Sequence, residues 1–356
     1  MHVASPRSEK QGLFPRRIVS AAIAGFLLVA LCGGLRSAWA AEAAQTFLGG
    51  WDLTLPGGAA GWLGVTEKDG QLQATILWGG GSVLPVESVK VEGDQLLLTR
   101  VLSKQQKSAD GKIVKPAATQ LITARATGDL LKLTATDLRD GKAAGKAPVE
   151  FSGKRTPPLP PAPDLSKVKF GPPQALFNGK DLTGWRLTNP KQVNGWSVQD
   201  RLLVNRIAQE PGKPHKSFGN LRTEQEFGNF NLTVETRVPK NGNSGVYLHG
   251  IYEVQVVDSY GRPLDPHNMG AIYSRVCPTV AAEKPAGQWQ TLDITLVDRH
   301  ATVILNGTKI IDNQPLLGCT GGALWSDQLR PGPIYLQGDH TGIEYRSVVI
   351  RPMLTQ

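Results

Sequence analysis

Short segments in which apolar and polar residues alternate limit the fold of this chain more than any other feature. In residues 230–238, Leu232 and Val234 alternate with polar side chains. A period of two places the apolar side chains on one face of a β-strand. Turn signals rich in glycine, asparagine and aspartate separate these segments, and long helical patterns are scarce. With 40 glycines and 25 prolines in 356 residues, the sequence predicts an all-β protein.

A proline-rich segment, residues 156–173, divides the chain. It contains seven prolines and predicts a semi-rigid extended linker. Before it, residues 45–155 contain seven or eight short strands, which predict a small antiparallel β-barrel or sandwich without a catalytic grouping. We interpret this part as an accessory domain. After it, residues 174–356 contain a dozen or so strands, which predict a double-sheet jelly roll with one concave face.

Residues 1–40 have the pattern of a secretory leader. Arg16 and Arg17 precede an apolar run at residues 18–32, and a small-x-small sequence ends at Ala40. We predict cleavage after Ala40, export to the periplasm or the extracellular space, and no membrane association afterwards. An uncleaved membrane anchor is the alternative.

The charge of the chain does not point to nucleic acid as a partner. The formal net charge is +9, and part of it belongs to the leader. The remaining charge is spread over both halves of the chain. Nucleic-acid-binding surfaces have a basic cluster interleaved with aromatic residues, and the sequence has no such cluster. The sequence does not indicate an oligomeric state.

Two of the three cysteines, Cys277 and Cys319, lie outside the leader. In an oxidising compartment, a lone pair of thiols is commonly joined. We therefore predict a disulfide between them. Two separate buried thiols are the alternative.

Residues 243–258 predict two short strands joined at Gly250, and their polar positions are unusual. These positions carry a phenol, an imidazole, a carboxylate and an amide: Tyr247, His249, Glu253 and Gln255. A solvated strand face more often carries lysine, threonine and serine. We interpret this face as the floor of a binding site.

Several segments in the C-terminal half resemble the 3-keto-disaccharide (3-keto-glycoside) hydrolase domain, formerly called DUF1080. They cover nearly all of residues 174–354 and lie at 176–185, 243–247, 252–255, 270–273, 284–289, 336–340 and 343–346. The resemblance implies a sandwich of the concanavalin A-like lectin/glucanase type and cleavage of 3-keto-disaccharides or 3-keto-glycosides. It does not reach residues 45–155. His249 departs from the family pattern, in which an arginine is common.

The implied substrate suggests a mechanism. A ketone at C3 of the sugar acidifies the proton on C2, so one base can form an enolate that expels the C1 substituent by β-elimination, and water then adds. As the base we consider Glu253 or His340. The enolate is stabilised in this hypothesis by Arg222, Arg346 or a divalent cation, and the leaving group is assisted by Asp258 or Tyr273. The remaining substrate-binding candidates are Asn243, Tyr247, Gln255, Gln337 and Glu344.

The run Glu253-x-Gln255-x-x-Asp258 is similar to the acidic run of β-sandwich glucanases, in which a β-bulge would bring Asp258 onto the face of Glu253. The middle acid is an amide here, which argues against an ordinary retaining glycosidase. Glu344 and Arg346 share a strand face and form a surface ion pair in the alternative reading. His340 has a structural alternative as the cap of a loop carbonyl.

No metal or other cofactor is required by the sequence. Asp339 and His340 with Glu253 and Asp258 would suit a divalent metal ion, although their spacing is not that of a known motif. Two other functions compete with the enzyme. One is a non-catalytic, lectin-like carbohydrate-binding protein, and the other is a structural or surface-assembly module.

Overall fold

The computed structural model describes residues 43–103, 106–107, 113–115, 117–210 and 212–354. The leader predicted for residues 1–40 lies outside this part of the chain. Within the described residues, regular structure consists of 25 strands, one 3-10 turn at Pro56–Gly58 and three helical residues at 43–45. The prediction of an all-β protein is confirmed. None of the described helical segments has the length and apolar character that crossing a membrane requires.

The N-terminal unit consists of a ten-stranded antiparallel sheet with its own core and a separate two-stranded sheet. Its strands are β1 (Gly49–Thr54), β2 (Ala60–Lys68), β3 (Gln71–Trp78), β4 (Leu84–Pro85), β5 (Ser88–Glu92), β6 (Gln95–Ser103), β7 (Gln106–Lys107), β8 (Ile113–Lys115), β9 (Ala118–Thr127), β10 (Leu130–Arg139), β11 (Lys142–Ala143) and β12 (Val149–Arg155). The order of the ten-stranded sheet is β4-β3-β2-β1-β12-β10-β9-β6-β5, with β11 beside β10, and β7 pairs with β8 in the two-stranded sheet. Trp51, Leu63, Leu98 and Leu133 share one buried cluster, so the sheet curves around its own apolar face.

The C-terminal unit is a sandwich of two antiparallel sheets. Its strands are β13 (Gln174–Ala175), β14 (Trp185–Leu187), β15 (Trp196–Gln199), β16 (Leu202–Asn205), β17 (Leu221–Thr223), β18 (Phe230–Arg237), β19 (Asn243–Leu248), β20 (Tyr252–Val257), β21 (Trp289–Val297), β22 (His300–Leu305), β23 (Thr308–Pro315), β24 (Tyr335–Leu336) and β25 (Ile343–Pro352). One sheet has the order β15-β16-β25-β18-β21-β22-β23 with β13 beside β25, and the other β14-β17-β24-β19-β20. Alternate residues of β18, Leu232 and Val234, share the core with Val246 and Val254 of the second sheet.

Two tight turns form hairpins in the C-terminal unit. Asn306 (φ 51°) and Gly307 (φ 85°) connect β22 to β23. Positive φ at both central residues is the requirement of a type I′ turn, which explains the Asn-Gly pair. Similarly, His249 (φ 53°) and Gly250 (φ 68°) lie between β19 and β20. The strand pair that the sequence predicts at the floor of the site is therefore present, and it is joined at Gly250.

The two units share an interface built around Trp62 of β2. This side chain is buried and packs with the core of the C-terminal unit. The guanidinium carbon of Arg275 lies 4.5 Å from the centroid of the Trp62 ring. At Gly318, a Cβ atom would lie 2.4 Å from that ring, so the indole packs directly on glycine backbone. The proline-rich linker is also held, because Arg299 donates to the Pro157 carbonyl oxygen at 2.9 Å.

The predicted disulfide is wrong, since Cys277 and Cys319 are both free thiols in the structure. Cys319 is fully buried at the interface between the units, where its Sγ lies 3.7 Å from the Gly61 carbonyl oxygen. Burial raises the pKa of this thiol to about 12. Cys277 is exposed instead. The expectation that thiols pair in an oxidising compartment says nothing about the distance between the two cysteines. A disulfide needs Cβ atoms about 4 Å apart.

The two thiols should therefore differ in reactivity. We expect iodoacetamide to modify Cys277 in the native protein and Cys319 only after unfolding, because the first is exposed and the second is enclosed and protonated. Peptide mapping by mass spectrometry checks both sites. A two-hydrogen increase in intact mass on reduction would show a disulfide and contradict the structure.

Candidate active site

A cavity of about 190 Å³ opens on the polar face of β19 and β20. It is lined by these two strands, the segment around β24, the loop at residues 320–322, Asn220 and Tyr273 of the C-terminal unit, and by a glycine segment of the N-terminal unit. The lining residues are Gly80, Gly81, Asn220, Asn243, Tyr247, Glu253, Gln255, Tyr273, Gly321, Gly322, Tyr335, Gln337, Asp339 and His340.

Glu253 is the buried acid of this cavity. It lies on β20 opposite Tyr247 of β19 and is 3% exposed. Burial raises the pKa of its carboxyl group to about 8, although the Tyr247 hydroxyl and the charge of His340 oppose this shift. A carboxyl group with such a pKa holds a proton at neutral pH and, once ionised, is a stronger base than an exposed glutamate.

Gly245 creates the space that the Glu253 carboxyl group occupies. It lies on β19 opposite Gln255, one position along the face from Tyr247. A Cβ atom on Gly245 would lie 2.3 Å from Oε1 of Glu253. Any side chain at this position would therefore displace the carboxyl group.

Two stacked tyrosines, Tyr247 and Tyr335, form the wall beside Glu253. Their ring centroids are 3.8 Å apart with an interplanar angle of 14°. The Tyr247 hydroxyl donates to the Gly321 carbonyl oxygen at 2.7 Å, and the Tyr335 hydroxyl donates to that of Gly322 at 2.8 Å. Burial raises the pKa of both phenols, so both stay neutral. The pair fixes the loop at residues 320–322 at the edge of the cavity.

His340 is the second ionisable group that faces Glu253. Its Nδ1 lies 2.7 Å from Oδ1 of Asp339, and this hydrogen bond is the main reason why the pKa of the imidazole is raised. The side chain is 46% exposed. With Nδ1 engaged by the carboxylate, Nε2 is the nitrogen that can exchange a proton with a bound molecule.

The side-chain amides of the cavity provide unpaired acceptors. Oδ1 of Asn243 and Oε1 of Gln337 are buried and have no hydrogen-bond partner among the described residues. A buried polar atom without a partner costs about 1–3 kcal/mol, which a ligand hydroxyl would relieve. Gln255 is partly engaged, since its Oε1 accepts from the Val256 amide at 3.1 Å. These acceptors suit a ligand that is rich in hydroxyl groups.

Asp258 does not join the site. The register of β19 and β20 is regular, and β20 ends at Val257 without the predicted bulge. Oδ2 of Asp258 instead accepts from the Asn241 backbone amide at 2.9 Å. The prediction that this carboxylate would lie beside Glu253 is wrong, because an uninterrupted strand places the residues on different faces.

Three further predicted residues also lie outside the cavity lining. Arg222 is buried on β17, where its guanidinium forms a 2.9 Å ion pair with Glu226. Glu344 and Arg346 are on β25, which belongs to the other sheet. They do not pair with each other: Glu344 bonds to Arg237 at 2.6 Å, and Arg346 bonds to Glu235 at 2.6 Å. The structure therefore corrects their assignment to the substrate site.

The residues considered for a metal ion are only partly brought together. Glu253, Asp339 and His340 line the cavity and Asp258 does not. Within the described ranges, no three or more histidine, cysteine, aspartate or glutamate side chains form a cluster suited to a metal ion.

Sequence reasoning missed Tyr335, the 320–322 loop and the contribution of the N-terminal unit. Tyr335 lies two residues before Gln337, a predicted substrate-binding residue, and its pairing with Tyr247 across β24 and β19 could have been expected once that sheet order was known. Gly80 and Gly81 had the pattern of an ordinary turn.

Comparison with known proteins agrees with the resemblance found in the sequence. The family model of the 3-keto-alpha-glucoside-1,2-lyase-like domain matches residues 172–351. A 3-keto-disaccharide hydrolase of Bacteroides thetaiotaomicron is 27% identical over 146 residues, which cover 33% of this chain and 50% of that protein. The chain thus spans about half the length of this curated relative.

Similar solved structures include a candidate glycosyl hydrolase from Parabacteroides distasonis, which is 29% identical, with 55% of this chain and 92% of that chain covered and a TM-score of 0.41. Another is SCLam, an endo-beta-1,3(4)-glucanase, which is 12% identical, with coverage of 56% and 95% and a TM-score of 0.34. Because this family model matches residues 172–351, half of the length of the chain, the chain belongs to the family of the 3-keto-alpha-glucoside-1,2-lyase-like domain.

Proposed function

We propose that the protein is an exported enzyme that cleaves the glycosidic bond of 3-keto-disaccharides or 3-keto-glycosides. The observation that carries this proposal is the buried carboxyl group of Glu253, whose pKa is raised to about 8 and which faces His340 across the cavity. The relative from Bacteroides thetaiotaomicron is a 3-keto-disaccharide hydrolase, which supports the same substrate class. Export is supported by the leader pattern of residues 1–40, and an N-terminus at Ala41 in the exported protein would test it.

The acids of the cavity favour proton abstraction over an ordinary retaining mechanism. A retaining glycosidase needs two carboxyl groups about 5 Å apart on either side of the bond. Here Asp258 lies outside the cavity, position 255 is an amide, and Asp339 is bonded to His340. A 3-keto sugar needs only one strong base at C2, which Glu253 supplies.

The reaction then follows in two stages. Glu253 takes the proton from C2, and the electrons of that bond form an enolate on the C3 oxygen. The enolate re-forms the ketone as C1=C2 is made and the bond from C1 to the leaving oxygen breaks, while protonated His340 gives that oxygen a proton. Water adds at C1 and gives a proton to His340, while Glu253, which has exchanged its proton with solvent, protonates C2. The net result is hydrolysis to a 3-keto sugar.

Other residues of the cavity bind and orient the sugar. Because Arg222 and Arg346 lie elsewhere, the donors available to the enolate oxygen are Tyr273 and the side-chain amides. The buried oxygens of Asn243 and Gln337 accept from sugar hydroxyls. The cavity is polar and contains ionisable groups, which suits an enzyme better than a shallow, aromatic-lined lectin groove.

The pH profile tests the role of Glu253. The base is active only when ionised, and its pKa is about 8, so kcat/KM for a 3-keto-glycoside whose leaving group needs no proton from His340 should rise with pH up to about 8. Initial rates between pH 5 and 10 measure this. If kcat/KM instead falls steadily between pH 6 and 8, Glu253 acts as a general acid, which would contradict the mechanism.

The substrate class is tested by comparing oxidised and ordinary disaccharides. We expect the protein to cleave the 3-keto-disaccharide and to leave the ordinary one intact, because only the ketone acidifies C2. The same assay with a chelator determines whether a divalent ion takes part. Equal cleavage of both sugars would disprove the 3-keto specificity.

A further inference from the structure

The N-terminal unit contributes part of the cavity wall. Gly80 and Gly81, in the segment between β3 and β4, line the cavity together with Glu253. The Gly79 carbonyl oxygen accepts from the Gly322 amide at 3.2 Å, and a Cβ atom on Gly321 would lie 2.1 Å from the Gly81 carbonyl oxygen. The segment at residues 79–82, which we call the glycine segment, therefore packs directly on the loop that the two tyrosines hold.

Side-chain hydrogen bonds fix the glycine segment to the C-terminal unit. Ser82 Oγ lies 2.8 Å from Nε2 of His267, and Nδ1 of His267 lies 2.6 Å from Oδ1 of Asp265. The Val83 amide donates to Ser274 Oγ at 2.9 Å. The His267 ring packs edge-on against the ring of Tyr273, with centroids 4.9 Å apart, and Ser274 is the next residue in the chain. The glycine segment is thus bonded to two residues beside Tyr273, which also lines the cavity.

Burial places the glycine segment at the mouth of the cavity. Tyr247, Glu253 and Gln255 are at most 3% exposed, whereas Gly80 and Gly81 are exposed. The cavity volume of about 190 Å³ is smaller than the roughly 300–1,000 Å³ of pockets that enclose drug-sized ligands, and suits a single sugar ring. In the proposed reaction that ring is the 3-keto sugar, because its C2 must reach Glu253. The leaving group must then extend through the mouth.

We propose that the glycine segment forms one wall of a leaving-group subsite, so that the N-terminal unit helps to decide which glycosidic leaving group is accepted. The ligand of this subsite is the second sugar ring of a disaccharide or another bulky alcohol. Without side chains, Gly80 and Gly81 present flat backbone on which a ring can lie. This inference rests on the proposed function.

Gly80 is the position at which a side chain can be added to test the leaving-group subsite without backbone strain. Its φ lies outside the left-handed region, and a Cβ atom would contact nothing within 4 Å. By contrast, Gly81 has φ +79°. Gly228 is a matched control, because it is also exposed, open around its Cβ position and free of positive φ, yet does not line the cavity.

The experiment compares a 3-keto-disaccharide with the methyl glycoside of the same 3-keto sugar. We expect Gly80→Leu to lower kcat/KM for the disaccharide at least about tenfold more than for the methyl glycoside, since the added side chain fills the space of the larger leaving group. Gly228→Leu should change neither value, and thermal unfolding checks that both variants fold. Equal effects of Gly80→Leu on the two substrates would overturn the subsite.

Binding measurements separate failure of the subsite from failure of the proposed function. Calorimetry with the 3-keto-disaccharide and its 3-keto monosaccharide is run on wild type and Gly80→Leu. If wild type binds both sugars without turnover and the variant loses affinity mainly for the disaccharide, the subsite holds and the proposed function fails. If wild type turns over the disaccharide and the variant behaves like wild type, the proposed function holds and the subsite fails. If wild type neither binds the sugars nor turns over the disaccharide, both the proposed function and the subsite are overturned.

Discussion

Glu253→Gln should lower the turnover of a 3-keto-disaccharide by about 10²–10⁴-fold, the usual contribution of a general base. Glutamine retains the size of the side chain and removes its ability to take a proton. The variant should still bind the sugar, because the amides of Asn243, Gln255 and Gln337 are unchanged. Steady-state kinetics near pH 8 measure the effect. Glu67→Gln, at an exposed position of β2, is the control and should leave turnover unchanged.

The same variant should gain stability at high pH. The pKa of Glu253 is raised from 4.5 to about 8 on folding, so the folded state holds its proton where the unfolded state has lost it. The contribution of the Glu253 carboxyl group to the free energy of unfolding is fully present below pH 4.5 and is lost as the pH rises to about 8. Glutamine removes that loss, which corresponds to up to about 5 kcal/mol in the free energy of unfolding. Denaturant unfolding at pH 5 and pH 9 should show the variant more stable than wild type only at pH 9.

Retained turnover in Glu253→Gln would remove this residue from the catalytic role. If the difference in stability between Glu253→Gln and wild type is the same at pH 5 and pH 9, the Glu253 carboxyl group is not a buried group with a raised pKa. The two readouts are independent, so they separate a wrong mechanism from a wrong description of the cavity.

Gly245→Ala is the second change with a large expected effect. The added Cβ would lie 2.3 Å from Oε1 of Glu253 and 3.0 Å from its Cδ, so the carboxyl group must move. A displacement of about 1 Å of a catalytic group costs about 10²-fold in rate, and we expect a loss of that size in kcat. The crowding should also destabilise the fold by about 1–3 kcal/mol.

Kinetics and thermal unfolding of Gly245→Ala test this expectation. Gly228→Ala is the matched control, since a Cβ atom there meets nothing within 4 Å and the residue does not line the cavity. A folded Gly245→Ala protein with the kcat of wild type would show that the carboxyl group can shift without loss of function, and would argue against its position as the basis of catalysis.

The strand pair at the floor of the site could be predicted because its information is local. A period of two determines which side chains share a face, so Tyr247, Glu253 and Gln255 were assigned to one surface before the sheets were known. The turn at Gly250 and the pairing across it also depend on neighbouring residues. The role of Gly245 follows from the same alternation but needs the cross-strand distance to Glu253, which only the structure supplies.

The remaining walls could not be predicted because they depend on which sheet each strand joins. His340 and Arg346 are six positions apart, yet the chain passes between them from the five-stranded sheet to the eight-stranded one. His340 consequently lines the cavity, and Arg346 pairs with Glu235 elsewhere. Gly80 is more than 170 residues from Glu253 in the chain, and nothing in the turn pattern of its segment indicates a long-range contact.

The central claim is that the enzyme removes the proton on C2 of a 3-keto sugar, and turnover in deuterium oxide tests it most directly. The account predicts that the 3-keto sugar released at early times carries one deuterium at C2, because a solvent-exchanged proton returns there after elimination. The same sugar incubated without enzyme controls for spontaneous exchange. Cleavage that leaves protium at C2 would mean direct hydrolysis and would contradict the role proposed for Glu253.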